Sequence, residues 1–190
     1  MALVRNVGGA LALALSLAAC ATDGGNQDDR VPLEAATARL PAQAAGFERA
    51  AALPAGATPE RAQERIVEYA TPRRIAVGLV FLYDAGKPEV APSDVAPEFE
   101  RRVAEGGRMS ERSGRRLVER SREAVPLARG GSLSCATLAG AFGRNPVEWQ
   151  VCVGAVGGRF IRTEVTMPGR SPPAADARGF ARAIADAARG

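Results

Sequence analysis

The apolar residues of this chain alternate with polar ones in some stretches and run unbroken in others, and the difference sorts its segments. Residues 74–84, RIAVGLVFLYD, form the most strand-like run. Ile75, Val77, Leu79, Phe81 and Tyr83 fall on one face and Ala76, Val80 and Leu82 on the other. A strand apolar on both faces is covered on both, which predicts a central place in a sheet. Residues 133–142, 147–156 and 159–167 read as three further strands. Within the last two, Trp149, Val151, Val153 and Phe160 share one face while Cys152, Ile161, Val165 and Met167 share the other, so both faces call for cover. Gly157 and Gly158 reach positive φ without steric cost and predict a two-residue hairpin turn. Gly143-Arg144-Asn145-Pro146 makes the preceding turn. Upstream, residues 47–53 begin by alternating and stop at Pro54. Thr58-Pro59 has the chemistry of a helix start, before a strand from about 65 to 71 and a turn at Thr71-Pro72-Arg73-Arg74.

A different period governs residues 91–122. Val95, Phe99 and Val103 recur at helical spacing, Pro97 suits the first turn of a helix, and Gly106-Gly107 predicts its end. Ser110 then caps a second, mostly polar helix to about Arg122. Residues 34–39 allow one helical turn, and residues 174–189 form an alanine-rich helix with Ala177, Phe180, Ala181, Ile184 and Ala188 as its apolar stripe. Together these elements predict an α+β fold. It has an antiparallel sheet of about six strands, a helical excursion between the third and fourth, and a C-terminal helix packed on the sheet. The order of elements resembles that of PsbP-like exported domains, in topology alone, and such a likeness carries no function.

The N-terminal stretch follows neither pattern. Behind Arg5 lies an apolar run too short and too interrupted by glycine to cross a bilayer, which takes about 20 residues. It ends in Leu17-Ala18-Ala19-Cys20, which resembles the bacterial lipoprotein signal. The resemblance implies that residues 1–19 are removed and that Cys20 is lipidated as the first mature residue. Ala21 stands where an inner-membrane retention signal of that family carries Asp, which implies an outer-membrane destination on the periplasmic face. Residues 20–31, the cysteine and a tether without aromatics, then lead to one domain over residues 32–190.

Composition narrows the partners. Without Arg5 the mature chain holds 24 basic residues against 21 acidic ones, interleaved, which points away from nucleic acid; a membrane contact through lipidated Cys20 is what the resemblance to the lipoprotein signal implies. Aromatics are 5% of the residues, so large core side chains are few: Phe47, Phe81, Phe160, Tyr69, Tyr83 and Trp149. Three cysteines would leave one over, but lipidation of Cys20 would leave Cys135 and Cys152 as a pair. A hairpin turning at residues 143–146 sets those two nearly opposite each other, and an oxidising compartment would bond them.

The chain has no histidine, which removes Ser-His-Asp and Cys-His catalysis and most zinc sites; no metal or other cofactor is expected. Lys87, the single lysine, sits in a Gly-Lys-Pro turn and reads as a solvated tip. Glu148 and Glu164 are the carboxylates to weigh for acid-base work, but the hairpin register sends them to opposite faces, and Glu164 shares its face with Arg162 as an expected surface pair. Residues 154–158 are glycine-rich yet join two strands, so they lack the helix N-terminus of a phosphate loop. The arginines of residues 101–122 alternate with glutamates. Glu98 and Arg102, like Glu111 and Arg115, stand four apart in the favourable orientation, as on a solvated helix or a docking face. Three readings of function follow. One is a non-enzymatic lipoprotein that binds or assists another envelope component. The second is a binder of a small apolar or lipidic ligand, and the third, weaker, is a carboxylate-dependent hydrolase.

Overall fold

A computed structural model describes residues 31–53, 64–112 and 116–189. Cys20, the tether to residue 30 and the Thr58 helix start lie outside the described residues. The elements are α1 (Leu33–Ala38), β1 (Gln43–Ala44), β2 (Phe47–Leu53), β3 (Glu64–Ala70), β4 (Val77–Tyr83), α2 (Val95–Arg112), β5 (Val118–Pro126), β6 (Ser132–Phe142), β7 (Asn145–Val156), β8 (Arg159–Pro168) and α3 (Ala177–Ala188). The strands make one sheet of eight in the order β1-β2-β3-β4-β8-β7-β6-β5. Every neighbouring pair is antiparallel. The α+β class therefore holds, with eight strands in place of about six. The additional ones are the two-residue β1 and the edge strand β5.

Both faces of β4, β8 and β7 are apolar, as their sequences require, and each face has its own core. On one side Val80, Leu82, Ile161 and Val165 meet α1 and α3. Phe180 of α3 is fully buried there, its ring 4.5 Å from that of Phe47 and 5.3 Å from that of Tyr69. Gly78 lets that ring lie directly on β4, since a side chain at this position would strike it. Asp176 caps α3 by accepting a hydrogen bond from the Gly179 amide at 2.8 Å. On the opposite side Phe81, Tyr83, Val151, Val153 and Phe160 meet Val95, Phe99 and Val103 of α2. The described residues of both cores begin at Val31.

Chain order explains why α2 is long. From β4 the chain must reach β5 at the far edge, past β8, β7 and β6, about 19 Å at the usual strand spacing. Eighteen helical residues span about 27 Å, enough for one helix to make the crossing. That corrects two expectations. Gly106-Gly107 does not end the helix, and no second helix begins at Ser110; α2 runs unbroken to Arg112, and residues 118–126 are strand β5. Gly106 serves a different need: the Trp149 ring packs where its side chain would be. Residues 118–124 are exposed, so β5 has no apolar alternation to mark it, and its charges discourage pairing with a second sheet. Ile75 is corrected as well. It lies before β4, 44% exposed rather than buried on a strand face.

The cysteine pair stands where the hairpin geometry put it. Cys135 and Cys152 are direct partners in the β6–β7 ladder, with Cα atoms 4.0 Å apart, and they are bonded. Both are buried in the core beneath α3.

Two measurements check these assignments. The β6–β7 bond closes a loop of 17 residues, so a Cys135→Ala/Cys152→Ala double variant should lose about 3 kcal/mol in urea unfolding, and free thiols in the oxidised wild-type protein would contradict the bond. At α2, Gly107→Ala meets open space and should gain about 0.5–1 kcal/mol from helix propensity, whereas Gly106→Ala should lose about 1–3 kcal/mol as Trp149 is displaced. Equal effects at the two glycines would refute the packing account.

Candidate functional site

Two features of the structure carry chemistry, a charge network beneath α2 and a groove at one end of the sheet. The network begins at Glu98, in the first turn of α2 and 8% exposed. Tyr83 Oη, rising from β4, donates a hydrogen bond to Glu98 Oε1. Arg102 Nε donates to the same oxygen at 2.7 Å, and Arg101 Nε donates to Oε2 at 2.9 Å. Arg102 also reaches Glu105 at 3.0 Å and stands over the Tyr83 ring, 5.2 Å from its centroid. The expected Glu98–Arg102 pair is therefore present, although partly buried rather than solvated; Arg115 of the second expected pair lies outside the described residues.

Arg162, on β8, is the other node. Its guanidinium lies 3.6 Å from the centroid of the Phe81 ring and donates to Glu64 Oε1 at 3.2 Å. Its Nε is buried, 3.2 Å from Glu164 Oε1 but without the alignment of a hydrogen bond. Arg162 and Glu164 share a face as expected, with one correction: Arg162 is 4% exposed, so the pair is internal and not a surface contact. At the same end of β4, Arg159 pairs with Asp84 at 3.2 Å.

These surroundings set the proton affinities. Burial pushes the Glu98 carboxyl upward, yet the hydrogen bonds from Tyr83, Arg102 and Arg101 outweigh it and hold the group below the ordinary glutamate value of 4.5. Glu164 moves the other way, because burial raises it and the nearby arginines only partly offset that. Glu98 is thus a fixed anion whose oxygens are already engaged, poorly placed to accept a substrate proton. Glu148 lies on the opposite face of the sheet, where it lines a smaller cleft of about 340 Å³ with Gln150, Asp176 and Arg178. The structure does not bring the two weighed carboxylates, Glu148 and Glu164, together. Among the described residues no group of three or more acidic or cysteine side chains is gathered as a metal site. Lys87 pairs with Asp94 at 2.8 Å instead of standing alone at its turn.

The groove is the larger concavity, about 600 Å³, open to solvent and lined mainly by carbon. It forms where β4 begins, β8 ends and β6 turns into β7. Val77, Val147 and Pro168 lie along it, with Ile75 and Phe142 beside it. These last two are among the few large apolar side chains left exposed, Phe142 at 57%. The turn before β4 sets Ile75 there. Thr71 closes it through its Oγ1, which accepts from the Ala76 amide at 2.9 Å, and through its carbonyl, which accepts from the Arg74 amide at 2.8 Å. Arg73 and Arg74 take left-handed backbone, φ 59° and 54°, so the chain reverses within three residues. Two arginines, Arg74 and Arg170, belong to the lining, and no acidic residue does.

Sequence reading named neither the groove nor the Glu64–Arg162 contact. The groove had one local signal, since Ile75 and Phe142 each adjoin an arginine-bearing turn. The contact had none, because its partners lie 98 residues apart. No protein-family model matches this chain, and no curated protein matches it either.

If Glu98 holds α2 to the sheet, Glu98→Ala strands Tyr83 and Arg102 and should cost about 3–5 kcal/mol at pH 7. A carboxyl with a lowered folded pKa contributes stability above its unfolded value of 4.5, and that contribution fades as pH falls through the lower folded value. The gap between wild type and variant in urea midpoint should therefore narrow below pH 4; a constant gap from pH 7 to pH 3 would contradict the charged role.

Proposed function

We propose that this chain is an outer-membrane-anchored periplasmic lipoprotein that works by binding another component of the envelope. The anchor rests on Leu17-Ala18-Ala19-Cys20 and on Ala21 behind it. The Cys135–Cys152 bond supports an oxidising compartment for the folded domain. The observation that carries the binding role is the groove: an exposed apolar concavity of about 600 Å³ at the end of a sheet whose two faces are otherwise packed.

Its volume and its carbon-rich lining favour a second reading within the first, in which the bound component is a small apolar or lipidic ligand rather than a protein. Hydrolysis through carboxylates has weaker support, because Glu98 and Glu64 are both engaged by arginine.

The anchor is tested by Cys20→Ala. The variant should lose its acyl chains by mass analysis and move from the membrane to the soluble fraction. Acylation that persists without Cys20 would overturn the reading.

A further inference from the structure

We infer that the groove binds a single-chain anionic amphiphile, its hydrocarbon chain against Val77, Val147, Phe142 and Ile75 and its carboxylate or phosphate head against Arg74 and Arg170. The inference rests on the binding role proposed above and names its ligand class.

Charge decides the head group. Arg74 and Arg170 line the groove, Arg73 and Arg144 sit in the turns that flank it, and the lining contains no carboxylate. Arg74 pairs through Nη1 with Glu68 at 2.7 Å, and its side chain is 59% exposed. Glu68 is engaged by Arg74 and the lining itself holds no carboxylate, so a cationic head finds no free counter-charge there, whereas an anion can take charge-assisted hydrogen bonds from Arg170 and from the remaining donors of Arg74.

Backbone pairing argues for a hydrocarbon tail over a peptide. A peptide laid along a sheet gains affinity from main-chain hydrogen bonds at an unpaired edge. The strands under this groove are interior ones: Val77 opposes Thr166, Val147 opposes Pro168, and the Gly169 amide donates to Pro146 O at 2.9 Å, while β8 runs two residues past its last partner on β4. A peptide backbone would leave polar groups unpaired against Val77 and Val147, at a cost an alkyl chain does not meet. Binding would also cover Ile75 and Phe142.

Position adds a further point. Arg65, near the start of β3, pairs with Glu34 of α1, so the described chain enters the fold beside that end of the strand. The groove lies beyond the other end, about 20 Å away at strand rise. The groove and the point where the described chain enters thus lie at opposite ends of β3, so a ligand in the groove does not obstruct that entry.

The test uses the full chain, carrying Cys20→Ala so that no acyl chain of its own competes, with dodecanoate and dodecyltrimethylammonium as probes of equal chain length, titrated by calorimetry below their micellar concentrations. Dodecanoate should bind saturably at one site, at least tenfold more tightly than the cationic probe. Arg170→Glu should weaken it at least tenfold and narrow or reverse that preference. Phe142→Ser should weaken both probes severalfold. Each changes an exposed side chain, and unchanged circular dichroism melting would confirm the fold. Absence of saturable dodecanoate binding, equal affinity for the two probes, or indifference to both substitutions would overturn the inference. So would an acidic peptide that binds this groove when dodecanoate does not. The anchoring measured with Cys20→Ala is independent of all these outcomes, so the ligand class can fail while the envelope assignment stands.

Discussion

Three adjacent strands, β4, β8 and β7, are apolar on both faces, and that constraint organises the molecule. A sheet that is apolar on one side can leave the other to water; this one cannot. It needs two covers, and the chain supplies them from separate places. α1 and α3 come from the two ends of the described chain, and α2 comes from the middle. The middle cover must also carry the chain from β4 to the far edge of the sheet. One helix does both, which fixes its length and obliges it to place Val95, Phe99 and Val103 on the sheet while crossing it.

The charge network follows from that crossing. A helix laid over a sheet brings the residues flanking its apolar stripe into half-buried positions, and here those are Glu98, Arg102 and Glu105. A carboxylate buried to this degree stays ionised only if donors surround it, and Tyr83, Arg101 and Arg102 do so. The same holds for Arg162, which sits on a face shared with Phe81, Tyr83, Phe160 and Glu164 and is accommodated by a ring stacked on its guanidinium and by Glu64. Such a network contributes little net stability compared with an apolar equivalent, yet removing one member leaves the others uncompensated. Its effect is to make the seat of α2 specific.

The sequence was most legible where packing and pattern coincide. The central strands, the opposed cysteines, the two-glycine hairpin and the stripe of α3 all lie where period and turn chemistry agree. It was least legible where a residue answers to a distant neighbour. Gly106 looks like a helix terminator from its own surroundings and is in fact room for Trp149, 43 positions away along the chain in a strand that only the fold brings near. β5 escaped for a related reason. Held by backbone pairing to β6 and wet on both sides along residues 118–124, it needs no apolar alternation, and its arginines and glutamates then imitate a solvated helix.

The groove shows the same logic from outside. Covers built from helices end where helices end, and the start of β4, the end of β8 and the β6–β7 turn meet in an open groove there. Polar residues could have closed that end against water, as the charges of β5 do along its edge. Instead the chain places Ile75 and Phe142 there, exposed, with arginine in the lining and no acid. Exposed apolar side chains gathered at one place lose contact with water only when something covers them. Ile75 and Phe142 stand 44% and 57% exposed, and the left-handed turn at Arg73 and Arg74 holds Ile75 in place. That placement, rather than the buried charges of α2, is where the surface of this domain departs most from what folding alone requires.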